Sequence, residues 1–525
     1  MVCSSRCAAD FLPLSGCLRR VHRASCGSVC RQSRNGFCCR SPTLTGLSTP
    51  ARLRQRKDDA GLGTEGDEMA DLKTRGLMLD LARGMERKPY YEELLPWLRE
   101  WGYNLLHLHL LDDQGCRLVF PRRPELASEG AFTAQEMRAF ISSAGRCGIE
   151  VVPEIESLGH ASRLNALPCF RGAFLRSAKT PLNALDPEHP ATRPLLNDLF
   201  SDAAEIFPSP VIHAGLDEVS FASVKRYRRV PKEDHWRIFA EHAAWVHDAV
   251  RCLGRRPAMW ADHLLSSPQM ARMFGKDLLP VDWHYRPGVD PKSLDFLSDA
   301  GFEVWAAPST VWWRVRLFSG PPVFQNIREF ASLSRAPQRT RVTGIVNTVW
   351  CSWRYLTGAV DWPIAWAGRL FASGREEPDW CRRFCEDFYG LRGAAGAACA
   401  VEELYAAAPE GPEIDAVCAG GERVTPEVKR VCGSRLPALE RSVQRLEKVL
   451  PRARRNAERL YDVVLSARLL VRWAAKGAGV GLRPDPSLAA ECRRRWKEAR
   501  PYPIEVFPDA GRWQHVLRLA AALCG

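Results

Sequence analysis

The chain has 525 residues, of which 46% are hydrophobic and 26% charged, so it is long enough for more than one domain with a large core. Its net charge of +13 is concentrated at one end: residues 1–57 carry ten arginines and one lysine against one acid, which leaves +3 for the other 468 residues. This nearly neutral body argues against nucleic-acid binding, and the absence of an apolar run of 18 residues argues against a membrane span.

Residues 1–68 show no hydrophobic periodicity and hold seven of the 19 cysteines. We expect a disordered, basic, cysteine-rich tail, because the cysteine spacing does not fit a zinc site and no apolar segment fits a signal peptide. Met69 could start a shorter chain that runs directly into the first strand. Without an export signal, the predicted location is cytoplasmic. The other twelve cysteines are scattered, which indicates reduced thiols.

Residues 69–388 alternate short apolar segments with amphipathic ones, which predicts an α/β fold built from repeated strand–helix units. Eight strands are predicted, beginning near residues 76, 103, 149, 211, 257, 279, 302 and 344. Helices are predicted at 90–101, 133–147, 191–206, 232–252, 291–300, 327–333 and 364–371. Eight units favour a closed (β/α)8 TIM barrel. An open doubly wound sheet is the competitor, weakened because no glycine-rich phosphate loop follows the first strand.

Residues 389–525 change character and predict a C-terminal α-helical domain. Leu439, Val443, Leu446 and Leu450 recur on one helical face, and a second such stripe runs from residue 456 to 473. Such stripes are more often core within one chain than a seam between chains. A homodimer through these helices is the alternative.

Polar and aromatic side chains gather where the predicted barrel strands end, which is the active face of such barrels. Carboxylates, histidines and tryptophans on one rim suit a carbohydrate, which offers hydroxyl groups to charged side chains and flat C–H faces to rings. A metal hydrolase is a minor alternative, because only His107 and His109 have close ligand spacing. We therefore expect no metal and no other cofactor.

The segment VIHAGLDEVSF, residues 211–221, holds two neighbouring acids, Asp217 and Glu218, just beyond a strand. Adjacent carboxylates repel each other, so such a pair is typical of a reaction that needs one protonated and one charged acid. A solvated turn or a helix cap is the simpler reading of an isolated pair.

Four motifs in order resemble the catalytic domain of glycoside hydrolase family 20, the exo-β-N-acetylhexosaminidases. They are RGLMLDLAR at 75–83, LLHLHLLDDQGCRL at 105–118, VPEIESLGHA at 152–161 and HAGLDE at 213–218. The resemblance covers residues 70–370. It implies retaining hydrolysis of a terminal N-acetylhexosamine, in which the acetamide oxygen of the substrate attacks through an oxazolinium intermediate.

The resemblance also implies roles for single residues. Glu218 would be the general acid, Asp217 would orient the acetamide, and His160 with Asp112 would form a relay behind the acid. Arg75 would hold sugar hydroxyl groups, and Trp260, Trp350 and Tyr285 would line the acetamide pocket. The other expected substrate-binding residues are His109, Asp113, His213 and Asp262.

Departures from the family pattern indicate a divergent branch, near hexosaminidase D. Leu216 stands where the family has glycine, and Ser352 stands where it often has a glutamate that holds the 4- and 6-hydroxyl groups. Two alternatives therefore stay open at this point: a glycan-binding protein without activity, and a retaining β-glycosidase for sugars without an acetamide group.

Overall fold

We describe the chain from a computed structural model, which covers residues 72–175, 184–504 and 515–525. The predicted tail at 1–68 and the candidate start at Met69 lie outside these residues. The barrel and the helices that follow it form one compact unit.

Parallel strands close into a barrel, which confirms the predicted TIM fold. The strands are β1 (Thr74–Asp80), β2 (Leu105–Leu111), β3 (Glu150–Ile155), β4 (Val211–His213), β5 (Arg256–Trp260), β6 (Leu279–Trp283), β7 (Val304–Ala307), β8 (Ser309–Val311) and β9 (Val342–Val349). They pair in the order β1-β2-β3-β4-β5-β6-β7-β9, and β1 pairs with β9 to complete the ring. The short β8 continues β7 along β9, so the two together count as one of the eight barrel strands.

The helices between the strands also follow the predicted pattern. They are α1 (Lys88–Glu100), α2 (Ala134–Arg146), α3 (Ser162–Asn165), α4 (Thr192–Ile206), α5 (His235–Cys252), α6 (Asp262–Ser266), α7 (Lys292–Asp299), α8 (Pro321–Ser334) and α9 (Asp361–Ser373). Thr133 and Glu136 cap α2 reciprocally, as the TAQE sequence predicts. Helix α8 starts six residues before the predicted Ile327, because Pro321 and Pro322 suit a first turn.

Burial of both strand faces explains why the strands read as continuous apolar runs. Every residue of β2 is buried, as expected of a parallel sheet that is covered by helices outside and filled by side chains inside. Met78, Val152, Val281 and Val346 belong to the inner core. The rigid strands therefore present fixed side chains at their carboxyl ends.

The predicted C-terminal helical region is confirmed, and within the described residues the helices after α9 are α10 (Trp380–Asp387), α11 (Ala395–Ala407), α12 (Gly411–Ala419), α13 (Pro426–Val449), α14 (Ala457–Ala478), α15 (Pro486–Ala499) and α16 (Val516–Cys524). Leu439 and Leu446 of α13 are fully buried within the chain, where α13 packs on α14. The leucine stripe is thus core of one chain. Across the described parts of the chain, no helix combines the length and apolarity that a membrane crossing needs.

Candidate active site

The loop after β4 carries the two neighbouring acids in an unusual backbone conformation. Gly215 has φ +67°, and a Cβ atom there would meet the Glu156 carboxylate at 2.0 Å. Leu216 and Glu218 also have positive φ, of 73° and 48°, which costs a residue with a side chain about 1 kcal/mol or more. This loop is therefore held by its surroundings in a conformation that the chain alone disfavours.

The two acids differ sharply in exposure. The Asp217 side chain is 13% exposed and that of Glu218 is 47% exposed. Both approach the same imidazole: His160 Nε2 lies 3.6 Å from Asp217 Oδ2 and 3.4 Å from Glu218 Oε2. Asp217 Oδ1 is buried without a hydrogen-bond partner among the described residues. One acid is therefore set inside the site and the other at its opening.

His160 connects the acids to the loop after β2, but through Asp113. Its Nδ1 lies 3.0 Å from Asp113 Oδ2, and the other oxygen of Asp113 accepts the Ser162 N–H. Asp112 was the expected relay partner, and this expectation is corrected. Neighbouring side chains at a strand end point in opposite directions, and Asp112 faces an arginine instead. Asp113, expected to bind substrate, is occupied by these two contacts.

That arginine is Arg83, and it replaces Arg75 as the cation of the site. Arg83 Nε lies 2.6 Å from Asp112 Oδ2, Nη1 lies 3.3 Å from Asp80 Oδ2, and its guanidinium carbon stands 5.1 Å from the centre of the Trp350 ring. Arg75 lies at the opposite end of β1, where it donates to the carbonyl groups of Gly102 and Leu72. The two ends are about 20 Å apart, so the expected role of Arg75 is wrong.

Sequence reasoning could have found Arg83. It stands in the same RGLMLDLAR motif and follows the carboxyl end of β1, where polar residues gather in this fold. Arg75 precedes the strand, so its position already placed it on the other face of the barrel.

Glu154 is the centre of a buried polar cluster beneath the acids. His107 Nε2 and His109 Nδ1 each lie 3.0 Å from Glu154 Oε2, and Trp260 donates its Nε1–H to Oε1 over 2.6 Å. His213 Nδ1 lies 3.3 Å from the same carboxylate. His109 and His213 have no exposed surface, so the expectation that they bind substrate is corrected: they are buried beside Glu154.

This cluster has the composition of a metal site, and two of its ligand atoms accept hydrogen bonds from the protein. The group His107, Glu154 and His213 and the group His109, Glu154 and Glu156 each bring three ligand atoms within 4.8 Å. However, the Gly215 N–H donates to His213 Nδ1, and Trp260 donates to Glu154. His107 Nε2, His109 Nδ1 and Glu154 Oε2 have no hydrogen-bond partner among the described residues, so the expectation of no metal stays a prediction.

Aromatic rings form one wall of the site beside the acids. The Trp260 and Trp350 ring centres are 5.7 Å apart, and Trp350 donates its Nε1–H to Tyr285 Oη over 2.9 Å. Trp350 and Tyr285 are partly exposed, whereas Trp260 is buried. Asp262 accepts the backbone N–H of Glu218 over 3.0 Å and so fixes the acid loop. The structure therefore brings these four predicted residues together.

A general acid needs a raised pKa, but in the free site Asp217 has one and Glu218 does not. Burial, with nearby Asp262 and Glu218, raises the pKa of Asp217 to about 6. The hydrogen bond with His160 lowers the pKa of Glu218, although burial opposes it. Burial disfavours the His160 cation, yet Asp217, Asp113 and Glu218 together raise the pKa of that imidazole well above its usual value. The free site therefore stores its proton on His160.

The segment Ala499–Ile504 ties the C-terminal helices to the loops of the site. The Arg500 guanidinium lies 2.5 Å from Glu86 Oε1, and Ala499 accepts the Arg87 N–H. A Cβ atom on Gly84 would lie 3.1 Å from Ile504 and 2.1 Å from Ser352 Oγ. Ser352 donates its hydroxyl to the Gly84 carbonyl, so it is turned towards this junction.

Comparisons with known proteins identify a family for the barrel part of this chain. Residues 73–313 match the glycosyl hydrolase family 20 catalytic domain. A beta-hexosaminidase of Akkermansia muciniphila is 30% identical over 207 residues, which are 34% of this chain and 41% of that protein. A beta-hexosaminidase of Vibrio furnissii is 24% identical over 331 residues, covering 53% of this chain and 52% of that protein. The chain thus spans about half or less of the length of these relatives.

A solved chitobiase of Flavobacterium johnsoniae is similar at 16% identity with a TM-score of 0.49, over 86% of this chain and 77% of that one. This likeness is too distant to bear on the chemistry. The barrel fold is assigned from the strand pairing described above.

Proposed function

With residues 73–313 as its family domain, this chain belongs to glycosyl hydrolase family 20, and we propose that it is a retaining exo-β-N-acetylhexosaminidase. Its substrate would carry a terminal N-acetylglucosamine or N-acetylgalactosamine. The observation that carries the proposal is the pair Asp217 and Glu218, which meets one imidazole at 3.6 and 3.4 Å beside a wall of aromatic rings.

Glu218 is the group that would protonate the leaving glycosidic oxygen. It is the more exposed acid, and the His160 imidazolium beside it holds a proton. A bound sugar would cover Glu218 and raise its pKa by desolvation, so the proton would pass to the carboxylate on binding. The same carboxylate would then take a proton from the water that ends the reaction.

Asp217 is the group that would act on the 2-acetamido substituent. Its carboxylate would accept the acetamide N–H and balance the positive charge of the oxazolinium ion, formed when the acetamide oxygen attacks the anomeric carbon. Two inversions at that carbon give net retention. With a pKa of about 6, Asp217 is ionised at neutral pH, and its Oδ1, which has no hydrogen-bond partner among the described residues, is available to accept such a bond.

Arg83 and the rings supply binding. The guanidinium is held by Asp80 and Asp112 and is placed to donate to hydroxyl groups of the terminal sugar. Trp260, Trp350 and Tyr285 would enclose the acetamide methyl group and the flat face of the ring. The Ser352 hydroxyl donates to the Gly84 carbonyl. We therefore do not expect residue 352 to bind the 4- and 6-hydroxyl groups of the sugar, as a glutamate there would.

A small substrate panel tests the proposal. We expect the full chain to hydrolyse aryl N-acetyl-β-glucosaminide or N-acetyl-β-galactosaminide, with the β-anomer of the free sugar as the first product by NMR. Aryl β-glucoside, which lacks the acetamide, should react at least about a thousandfold more slowly, because the attacking group is absent. Equal rates on both classes would reject the acetamide mechanism, and sugar binding without turnover would reject catalysis.

A further inference from the structure

A cavity of about 580 Å³ lies between the loop after β4, the start of α5 and the short helix α6. Its volume is within the range of sites that bind small ligands. The side chains to which the proposed reaction is assigned do not line it, namely Asp217, Glu218, His160, Arg83, Trp260, Trp350 and Tyr285. The cavity is therefore a space that the proposed reaction does not use.

The wall of this cavity is aromatic. Phe221, Tyr227, Trp236 and Phe239 contribute ring surface, and of these only Trp236 is partly exposed. His263 adds a further ring, which stacks on Phe239 with ring centres 4.2 Å apart. Aromatic rings prefer to meet other rings in offset-stacked or edge-to-face arrangements, so a wall of this kind favours a flat aromatic ligand.

One nitrogen atom in the wall is left without a partner. His235 Nε2 is buried and forms no hydrogen bond with the described part of the chain, while its ring packs edge-on against Phe221 with ring centres 5.6 Å apart. A buried ring nitrogen normally has a hydrogen-bond partner. When it carries a hydrogen, this nitrogen can donate to a negatively charged oxygen atom of a ligand.

The chain segment that borders the cavity is strongly basic. Residues 225–237 contain four arginines and two lysines against two acids, so this segment carries +4, more than the +3 of residues 58–525 as a whole. Arg226 pairs with Asp186 and Glu188. Within the described chain, no ion pair or side-chain hydrogen bond engages four other cations of the segment, which are Lys225, Arg228, Arg229 and Lys232. These four charges are available to an anion from outside the chain.

Two of the unpaired cations, Arg228 and Lys232, belong to the lining, in which the described residues include one acid, Glu233. A third cation stands beside the ring wall, because the Arg237 guanidinium carbon lies 5.4 Å from the ring centre of Trp236. A negatively charged group at the mouth would therefore meet positive charge while the rest of the ligand contacts rings. This combination selects a ligand that is both flat and negatively charged.

We propose that this cavity binds a small aromatic anion, which is a flat ring system that carries a carboxylate, sulfonate or phosphate group. The ring system would stack on Trp236, the anionic group would contact Arg228 and Lys232, and His235 Nε2 would donate a hydrogen bond to a ligand oxygen. This inference goes beyond the proposed hydrolysis and does not depend on it, because these residues have no part in that reaction.

Calorimetry with naphthalene-2-sulfonate as the probe tests the chemical class. We expect saturable binding to the full chain with a Kd of about 1 mM or tighter. The neutral naphthalene-2-methanol and the non-aromatic cyclohexanesulfonate should each bind at least about tenfold more weakly, because one lacks the charge and the other the flat ring. Equal affinities for the three probes, or no saturable binding of the aromatic sulfonate, would overturn the proposal.

The double variant Arg228→Ala with Lys232→Ala tests the charges, and Lys225→Ala with Arg229→Ala is its matched control. Each pair removes two exposed, unpaired cations from the same segment, but only Arg228 and Lys232 line the cavity. The first pair should weaken binding of the aromatic sulfonate about tenfold, and the second pair less than about twofold. Equal weakening by both pairs would show diffuse attraction to the segment rather than a site, which would contradict the proposal.

Trp236→Ala tests the ring wall, and Trp245→Ala is its control. Trp245 lies on the same helix and is also partly buried, but it does not line the cavity. Trp236→Ala should weaken binding of the aromatic sulfonate about tenfold, whereas Trp245→Ala should leave it unchanged. An unchanged affinity in folded Trp236→Ala would remove the ring wall from the site and with it the proposal.

Competition separates this cavity from the substrate site. In Glu218→Gln, a β-linked N-acetylglucosamine trisaccharide at saturating concentration should leave the affinity for the aromatic sulfonate unchanged. Displacement of the sulfonate by the trisaccharide would show that the cavity belongs to the substrate site, and the inference would fail. If the wild-type protein hydrolyses no substrate, the proposed function fails, whereas the probe series and its variants still decide whether the cavity binds an aromatic anion.

Discussion

Two regions of this molecule bury charged side chains, and they pair them differently. At the junction between the barrel and the C-terminal helices, each acid has its own arginine: Asp361 with Arg459, Asp462 with Arg495 and Glu86 with Arg500. At the barrel mouth, acids crowd around fewer cations. Asp217 and Glu218 share His160, and Glu156 lies against the loop that carries them.

We infer from this pairing that the charges at the junction serve stability and that those at the mouth serve the proposed chemistry. Burial raises the pKa of acids in both regions, and that of Asp361 reaches about 6 although Arg459 lowers it, so pairing with an arginine rather than the pKa distinguishes the two regions. Burial and the neighbouring Asp217 raise the pKa of Glu156 well above its usual value, and burial raises that of Asp217 to about 6. Perturbed groups in a cleft are candidates for proton transfer.

The largest effect is expected from the exposed acid of the mouth. Glu218→Gln keeps the shape of the side chain but removes its proton transfer, so kcat on an N-acetylhexosaminide with a poor leaving group should fall about a thousandfold or more. Glu241→Gln, at an exposed position of α5, is the control. Circular dichroism should show both variants folded, and retained turnover in Glu218→Gln would remove Glu218 from the mechanism.

The two arginines of the first motif provide the next test. Arg83→Lys should lower kcat/KM about a hundredfold, because an ammonium group cannot keep the forked contacts to Asp80 and Asp112 and still face the sugar. Arg75→Lys, at the other end of the strand, should change kcat/KM less than about twofold. Steady-state kinetics of the two variants show which arginine binds the substrate. A larger loss of kcat/KM in Arg75→Lys than in Arg83→Lys would contradict the placement of Arg83.

A smaller effect is expected from pH. The raised pKa of Asp217 means that this acid is protonated below about pH 6 and ionised above it. The mechanism needs the carboxylate, so kcat/KM should fall about tenfold for each pH unit below 6. The pH dependence of kcat/KM of the full chain measures this decrease. An apparent pKa near the ordinary aspartate value of about 4 would show that Asp217 is not buried as described.

The matched pairs should give the smallest effect on catalysis. Arg459→Met leaves Asp361 as an unpaired buried charge, so the free energy of unfolding in urea should fall by about 3 kcal/mol while kcat changes less than about twofold. The double variant with Asp361→Leu should recover much of this loss, because an apolar pair can replace a buried ion pair. A large loss of kcat in the folded Arg459→Met variant would show that the ion pairs at the junction also affect catalysis.

Hydrophobic periodicity predicted the eight barrel strands and the order of the helices, because buried parallel strands and amphipathic helices leave distinct patterns. It did not predict which of Asp112 and Asp113 meets His160, since adjacent residues differ only in the direction of the side chain. The burial of His109 and His213 and the pKa order of the acids depend on neighbours from β3, β4 and β5, which no local pattern reveals. The domain boundary at 388–389, the cytoplasmic location, the dimer and the absence of nucleic-acid and membrane partners stay predictions.

The contacts of Ala499–Ile504 have a consequence for how the protein is made. Arg83 and the loop after it precede this segment by more than 400 residues, yet Glu86, Arg87 and Gly84 rest against it. During synthesis the barrel can close long before this partner leaves the ribosome. The loops at the mouth of the barrel can therefore reach their final shape only after residues 499–504 have been synthesised, and a nascent chain halted before residue 500 would have a complete barrel without these contacts.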